Sequence, residues 1–160
     1  MKEIDILRLA LEIEKAELKF YLNLARKVSD ERARKMFLFL ANEEANHWEI
    51  FEKEFLEKLV NECEMPRINN ELVERLIFKE IREGELSEID AVKIGMEQEK
   101  LTWEFYERAA KEAKSEELRK VFKNLARIEK AHYELMKAQY DSIMKTGIWM
   151  DYQDFSLEVD

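Results

Sequence analysis

The sequence predicts an all-α protein that folds as an antiparallel four-helix bundle. The bundle consists of two similar helical hairpins, and a long crossover that contains a short helix joins them. Two observations support this prediction. Four long segments place apolar residues at alternating steps of three and four, which is the period of a helix with one buried stripe. The 160 residues also include three glycines and one proline, so turns are few and elements are long.

The first two helices form the first hairpin. The first helix spans about residues 4–28, and its stripe consists of Ile4, Leu7, Leu11, Glu14, Leu18, Tyr21, Ala25 and Val28. Ser29 and Asp30 then mark a turn and a helix cap. A second helix runs from about Glu31 to Cys63, with its stripe at Ala33, Phe37, Leu40, Glu44, His47, Phe51 and Phe55. Because the link is short, the two helices are antiparallel neighbours.

The segment between the hairpins has no sustained helical period. Between Glu64 and about Leu86, Pro66 and the pair Asn69-Asn70 interrupt the chain, and residues 71–82 are expected to form a short helix. We interpret this segment as a crossover within one domain.

The second hairpin repeats the organisation of the first. Ser87 and Asp90 predict a capping box at the start of the third helix, whose stripe is Ile89, Val92, Met96, Glu99, Trp103, Tyr106, Ala110 and Ala113. Ser115 is expected to cap the fourth helix, and Gly147 to end it. The stripe of that helix is Leu118, Phe122, Leu125, Glu129, His132, Met136 and Ile143.

The domain prediction is therefore one bundle over residues 1–147 and a short tail over residues 148–160. The tail contains Trp149, Tyr152, Phe155 and Leu157, which is too apolar for a freely solvated segment of this length. We expect it to dock on the bundle or on a partner subunit.

Composition excludes several classes of function. A net charge of −9 and a pI of about 5.0 argue against binding nucleic acid or an anionic membrane surface. No apolar run is long enough to span a membrane, and the N-terminus lacks the apolar run of a secretory leader, so a cytoplasmic location is expected. A single cysteine, Cys63, excludes a four-cysteine metal module within these residues.

The two hairpins are also related in sequence. A shift of 85 positions aligns Glu14 with Glu99, and it gives 15 identities in the 38 pairs that begin at positions 12–49. Unrelated segments of ordinary composition would share about two or three identities. The hairpins are therefore internal repeats.

Six polar residues occupy positions in the apolar stripes where core residues are expected, namely Glu14, Glu44, His47, Glu99, Glu129 and His132. Glu14 lies about 15 residues before the first turn and Glu44 about 15 after it, roughly 23 Å at 1.5 Å per residue. The second hairpin repeats these distances. All six side chains are therefore expected to converge on one layer of the core.

Unpaired carboxylates cannot crowd together in a dry interior, so this layer must contain cations. A Glu from each of two helices and a Glu-x-x-His pair from each of the other two is the ligand pattern of a dinuclear carboxylate site. Glu44 and Glu129 are predicted to bridge two metal ions, and Glu14 and Glu99 to be terminal ligands. Oxygen-rich ligands with some imidazole suit iron or manganese, and zinc can substitute.

Three further residues are candidates for supporting roles. Tyr21 and Tyr106 lie seven residues after Glu14 and Glu99 on the same helix faces. Each is either a hydrogen-bond donor to a ligand or to an oxygen intermediate, or a core aromatic with a satisfied hydroxyl. Glu17, one turn after Glu14, is a possible extra or alternating ligand, although a solvated surface position is the favoured interpretation.

These motifs resemble the rubrerythrin branch of the ferritin-like superfamily over about residues 4–145. The resemblance rests on the segments Leu11–Glu14 with Phe20-Tyr21, Glu44–His47, Glu97–Tyr106 and Glu129–His132. It implies a ferritin-like bundle, usually homodimeric, with two iron ions per chain. It also implies reduction of hydrogen peroxide to water in defence against oxidative stress and, in some members, oxidation of ferrous iron by dioxygen.

Two departures from the family pattern bear on this implication. Full rubrerythrins carry a four-cysteine rubredoxin domain, which these residues lack, so electrons are expected from a separate rubredoxin-type donor. Full rubrerythrins also have an additional glutamate three residues after the terminal ligand of helix three, where this sequence has Thr102. Glu17, at the mirror position in helix one, could substitute for that glutamate.

Two alternatives to a peroxidase stay open at this point. The same site could oxidise, bind or store iron as a ferroxidase or a storage protein. The chain could also be a metal-free interaction bundle in which the inward Glu and His side chains pair with Lys or Arg.

Overall fold

The chain folds as an antiparallel bundle of four long helices. The computed structural model describes residues 2–59 and 86–150. The helices are α1 (Glu3–Lys27), α2 (Glu31–Leu59), α3 (Glu88–Glu112) and α4 (Glu116–Thr146), and no strand occurs among the described residues. Helix α1 packs mainly against α2, and α3 mainly against α4. Within the same ranges, no helix is both long and apolar enough to cross a membrane.

Ser87 and Ser115 cap the two helices of the second hairpin as predicted, although the hydrogen bonds of the described residues do not include the reciprocal bond of a capping box between Asp90 and the Ser87 backbone. The backbone N–H of Asp90 donates to Ser87 Oγ at 3.1 Å, and the N–H of Leu118 donates to Ser115 Oγ at 3.2 Å. Gly147 ends α4 with a left-handed backbone (φ 69°), a conformation that favours glycine. The crossover with its short helix, and the predicted end of the second helix near Cys63, lie outside the described residues apart from Leu86.

An arginine repeated in both hairpins closes each turn. Arg34 Nη2 donates to the carbonyl of Val28 at 3.0 Å, and Arg119 Nη2 donates to the carbonyl of Ala113 at 3.0 Å. Val28 and Ala113 are the residues that end α1 and α3. Each arginine therefore donates to a carbonyl at the end of the preceding helix, where the backbone of that helix supplies no N–H partner.

A second pair of repeated contacts ties the hairpins to each other. Glu3 Oε1, in the first turn of α1, accepts the backbone N–H groups of Lys114 (2.9 Å) and Ser115 (2.6 Å) in the turn of the second hairpin. In the mirror-related contact, Glu88 Oε1 in the first turn of α3 accepts the N–H of Asp30 and the hydroxyl of Ser29, both at 3.1 Å. We refer to these two contacts as the cross-hairpin caps.

Two large clusters along the bundle axis contain most of the apolar core of the described residues, and Leu9 with Ile13 forms a third, small one. One cluster lies at the end where α1 joins α2 and includes Leu24, Phe37, Leu40, Val92 and Met136. The other lies toward the opposite end and includes Leu7, Phe51, Leu118, Phe122 and Leu125. On every helix, a buried glutamate lies between the two large clusters, and together with the buried histidines of α2 and α4 these glutamates form a polar layer.

The first residues of the predicted tail contact the bundle. The Trp149 side chain is buried in the first core cluster, and Arg32 Nη1 donates to its carbonyl at 2.9 Å. Gln139 Nε2 donates to the carbonyl of Met150 at 3.1 Å, and the N–H of Met150 donates to Gln139 Oε1 at 3.0 Å. Residues 151–160 lie outside the described ranges, so docking of the whole tail and a domain boundary at 147 stay predictions.

Candidate metal centre

The polar layer brings together the six residues that the sequence places inside the apolar stripes. Each of the four helices contributes a glutamate, and α2 and α4 add a histidine one turn later. None of the six is more than 3% exposed: Glu14, Glu44, His47, Glu99, Glu129 and His132. Their convergence follows from the helical period and from the equal distances to the two hairpin turns.

The six side chains form two overlapping groups of potential ligands. One group consists of Glu14, Glu44, His47 and Glu129, and the other of Glu44, Glu99, Glu129 and His132. Within each group the ligand atoms lie within 4.8 Å of one another. Glu44 and Glu129 belong to both groups, whereas Glu14 and Glu99 each belong to one.

The histidines face the shared carboxylates through the same ring nitrogen. His47 Nδ1 lies 3.1 Å from Glu14 Oε2, 3.2 Å from Glu44 Oε2 and 3.3 Å from Glu129 Oε1. His132 Nδ1 lies 3.3 Å from Glu44 Oε1 and 3.4 Å from Glu129 Oε2. The two rings are nearly parallel, with centroids 5.8 Å apart.

Several buried atoms of the layer make no hydrogen bond with any described residue, and a metal ion would satisfy them. They are Glu44 Oε1, Glu99 Oε2, both carboxylate oxygens of Glu129 and both ring nitrogens of His132. Burying such groups without a partner costs about 1–3 kcal/mol each, and more when they are charged. No lysine or arginine among the described residues forms an ion pair with the four glutamates, so the residues present fit a pair of divalent cations.

The electrostatics of the layer also favour cations. Burial, and then the charge of Glu44, raise the pKa of Glu14, while burial and the charge of Glu129 raise the pKa of Glu99. Burial alone would lower the pKa of His47, but the close approach of Glu129, Glu14 and Glu44 raises it well above its usual value. Without metal the layer therefore retains protons, which metal binding would displace.

The shared carboxylates behave in the opposite way. Burial opposes ionisation of Glu129, but the close approach of Glu99, His132 and His47 lowers its pKa below the ordinary value. Burial raises the pKa of Glu44, but the close approach of both histidines lowers it below the ordinary value. The two carboxylates predicted to bridge metal ions are thus already ionised at neutral pH.

The two tyrosines hydrogen-bond to the terminal carboxylates, and each does so across the bundle. The Tyr21 hydroxyl on α1 donates to Glu99 Oε1 on α3, and the Tyr106 hydroxyl on α3 donates to Glu14 Oε1 on α1. Burial and the neighbouring carboxylates raise the pKa of both phenols, so the hydroxyls keep their protons. Contact with a ligand was one of the two interpretations of these residues, but the sequence did not indicate that the contact crosses between hairpins.

Glu17 is completely buried, so the favoured surface position is wrong. The reason is its polar environment on α3: the Thr102 hydroxyl and Gln98 Nε2, the latter at 3.0 Å, both donate to Glu17 Oε1. Glu17 Oε2 makes no hydrogen bond with a described residue, and burial, followed by the charge of Glu44, raises the pKa of Glu17. Glu17 is not a member of either ligand group.

Sequence reasoning missed Gln98 as part of this environment. It is fully buried and also donates from Nε2 to Thr102 Oγ1 at 3.2 Å. The available signal was the repeat, because the position equivalent to Gln98 in the first hairpin is the apolar Ile13. An equivalent core position indicates that Gln98 points inward.

A four-helix bundle with four inward glutamates and two Glu-x-x-His pairs defines the ferritin-like class of dimetal carboxylate proteins. The family model described as Rubrerythrin matches residues 5–140, and the chain belongs to the rubrerythrin family. A solved structure of a hypothetical protein from Pyrococcus furiosus is similar, with a TM-score of 0.68 and 24% identity. The match covers 90% of this chain and 91% of that one, and it shows the fold. No curated protein matches the sequence.

Proposed function

We propose that the protein is a non-haem di-iron oxidoreductase that reduces hydrogen peroxide to water. The observation that supports this most directly is the pair of four-residue ligand groups that share Glu44 and Glu129. Membership of the rubrerythrin family supports iron as the metal, with two ions per chain. When bound, two ferrous ions supply the two electrons that conversion of one peroxide and two protons into two waters requires.

The side chains of the layer hold and orient this centre. Glu44 and Glu129 keep the two metal positions close together because each carboxylate reaches both groups. The Tyr21 and Tyr106 hydroxyls fix the orientation of Glu99 and Glu14. The apolar clusters on either side exclude bulk water, which strengthens every electrostatic interaction between them.

Glu17 is placed to hold one of the protons that peroxide reduction consumes. Its Oε1 already accepts hydrogen bonds from Thr102 and Gln98, so the proton of the neutral carboxyl group resides on Oε2. Burial favours this neutral form. Loss of the proton would make Oε2 available as an additional ligand, the role proposed for Glu17 from the sequence.

A second candidate function is oxidation of ferrous iron by dioxygen, as in a ferroxidase or an iron-storage protein. The observation that favours it is Thr102, which occupies the helix α3 position where full rubrerythrins have an additional glutamate. The Thr102 hydroxyl is bound to Glu17, so α3 presents no carboxylate there. Preference for dioxygen over peroxide would then follow from that difference.

Stopped-flow absorbance distinguishes the two functions. The purified chain is loaded anaerobically with two ferrous ions and mixed with hydrogen peroxide or with dioxygen in separate experiments. Faster oxidation by peroxide is the expected result. Oxidation by dioxygen that is as fast or faster would favour the ferroxidase, and failure to retain iron would favour a metal-free interaction bundle.

The remaining parts of the proposal concern the molecular context. Electrons come from a separate rubredoxin-type donor, the chain works as a homodimer in the cytoplasm, and neither nucleic acid nor a membrane is a partner. Sedimentation of the 19.3 kDa chain tests the assembly, because a dimer and a storage shell differ many-fold in mass.

A further inference from the structure

A groove with strong positive charge runs between the outer faces of α3 and α4. Its volume is about 640 Å³, and Glu107 is its one acidic lining residue among the residues described. We call it the cationic groove, and the lining residues that matter for its chemistry are Trp103, Lys111, Arg119, Lys123, Arg127 and Lys130.

This charge is opposite in sign to that of the molecule. The chain has 36 acidic and 27 basic residues, yet residues 118–128 include four basic residues and no acidic one. Four of the groove cations follow one another on α4 at steps of four, four and three: Arg119, Lys123, Arg127 and Lys130. This spacing places them on one helix face, over a length of about 16 Å.

Most of the groove cations are not neutralised within the described residues. Among the described residues, no acidic side chain forms an ion pair with Lys111, Lys123 or Lys130. Arg119, by contrast, pairs with Glu116 at 2.8 Å. All three lysines are exposed. Like charges at this spacing destabilise a helix slightly, and an acidic binding partner would remove that repulsion.

The inner wall of the groove lies next to the candidate metal centre. Trp103 follows Glu99 by one turn of α3, and Lys130 Nζ lies 5.1 Å from the Trp103 ring. The rings of Trp103 and Tyr133 are 6.1 Å apart, and Tyr133 directly follows His132. Trp103 therefore contacts a second aromatic side chain, and each of the two lies within one helical turn of a candidate ligand along the chain.

We propose that the cationic groove docks an acidic electron-transfer protein, which passes electrons to the centre at Trp103 and Tyr133. This inference rests on the proposed oxidoreductase function. A cation stripe of this length matches several carboxylates spread over a protein surface, rather than a single phosphate. Each docking event oxidises the donor by one electron and reduces the centre by one, so two events restore what one peroxide removes.

The test uses an acidic rubredoxin as the probe and charge-reversal variants of the full chain. The groove variant is Lys123→Glu with Arg127→Glu. The control is Lys137→Glu with Lys145→Glu, which changes the net charge equally at exposed positions of α4 outside the groove. Calorimetric titration at low salt is expected to show binding weakened about tenfold in the groove variant and by less than about twofold in the control. Circular dichroism melting verifies that both variants are folded.

A kinetic measurement separates docking from the chemistry of the centre. We expect the groove variant to slow reduction of the oxidised centre by rubredoxin, but not by dithionite, and to leave oxidation of the ferrous protein by peroxide unchanged. If wild-type protein binds rubredoxin at the groove but its ferrous form does not react with peroxide, the oxidoreductase function fails and the docking surface stands.

Three results would overturn the docking proposal. Wild-type protein that does not bind rubredoxin would do so directly. Equal weakening in both variants would show that net charge, and not the groove, controls binding. Groove-dependent binding of duplex DNA or inorganic phosphate without binding of rubredoxin would assign the groove to a different class of ligand.

Discussion

Glu44 and Glu129 are the residues that the two candidate metal positions share, because each carboxylate belongs to both ligand groups. We expect Glu44→Gln combined with Glu129→Gln to reduce ferrous binding from two ions per chain to one or none. An amide is a weaker ligand and does not compensate cationic charge. Anaerobic titration with ferrous iron, followed by metal analysis, measures the stoichiometry.

The repeat offers a matched control for this prediction. Glu49 and Glu134 are equivalent positions on the same two helices, and both are exposed. The combined variant Glu49→Gln, Glu134→Gln should retain two ions. Two ions bound in the Glu44 and Glu129 variant would show that these carboxylates do not hold the metal.

The tyrosine hydroxyls make a separate contribution to stability. Tyr21→Phe keeps the ring packing against Phe37 but leaves a buried oxygen of Glu99 without its donor. We expect a loss of about 1–3 kcal/mol in the free energy of unfolding of the metal-free protein. Urea denaturation measures this loss, and Tyr106→Phe should behave alike because it removes the donor to Glu14.

Tyr140→Phe is the control, since the Tyr140 hydroxyl makes no hydrogen bond with a described residue and its ring is half-buried. A change there of the same size would mean that the loss at Tyr21 comes from removing a phenol hydroxyl in general and not from losing the hydrogen bond to Glu99.

At the level of residues, the sequence predicts a position when period and repeat agree. Glu14 and Glu99 were predicted to point inward because both lie in a stripe and are 85 residues apart. Glu17 was not predicted to point inward, because its equivalent in the second hairpin is Thr102 and the repeat therefore gave no support. Whether Glu17 is buried or exposed depends on which side chain of α3 lies opposite it. The half-buried Leu18 was assigned to the stripe instead of Glu17.

At the level of elements, the cross-hairpin caps fix how the two hairpins meet. Glu3 and Glu88 lie in first turns, where a carboxylate also interacts favourably with the helix dipole. The helix dipole alone is therefore enough to explain an acidic residue at each of these positions. For this reason the sequence does not predict that the two carboxylates contact the opposite turns. Helix bounds, by contrast, agree with the predicted bounds to within one or two residues wherever caps and period mark the ends.

Glu88 makes one of these caps dependent on pH. Burial opposes its ionised form, but hydrogen bonds from backbone N–H groups and from Ser29 lower its pKa. A lowered pKa in the folded state gives stability that is present above the ordinary pKa of 4.5 and is lost as the pH falls through the folded value. We therefore expect Glu88→Gln to destabilise the protein at neutral pH, by less than about 1 kcal/mol because Glu88 is largely solvated.

Urea denaturation at several pH values measures this effect, and the difference from wild type should shrink as the pH falls below 4.5 and through the lowered pKa of folded Glu88. The control is Glu117→Gln in the first turn of α4, which removes a similar charge at a helix N-terminus. If both variants show the same dependence on pH, the helix dipole accounts for it and the cross-hairpin cap does not.

At the level of the whole molecule, metal binding in the polar layer would be coupled to folding. Buried carboxylates without partners make the metal-free bundle less stable, and a ligand that binds only the native state stabilises it by mass action. We expect iron at 100 times its dissociation constant to add about 2.7 kcal/mol for one site and to raise the Tm. Calorimetric melting with and without a chelator measures the shift.

The Glu44 and Glu129 variant provides the control for this experiment, because its Tm should not respond to the chelator. A wild-type Tm that is equally insensitive would support a metal-free interaction bundle and contradict a structural contribution from iron.

The tyrosine contacts across the bundle have a consequence for the ancestry of the molecule. Each hairpin holds one terminal glutamate, one Glu-x-x-His pair and one tyrosine whose hydroxyl reaches the other hairpin's glutamate. Two copies of one such hairpin, related by a two-fold axis, would present the same set of side chains. Duplication and fusion of a single-hairpin gene would thus yield a complete centre at once, and later divergence, as at Glu17 and Thr102, could then make its two halves chemically different.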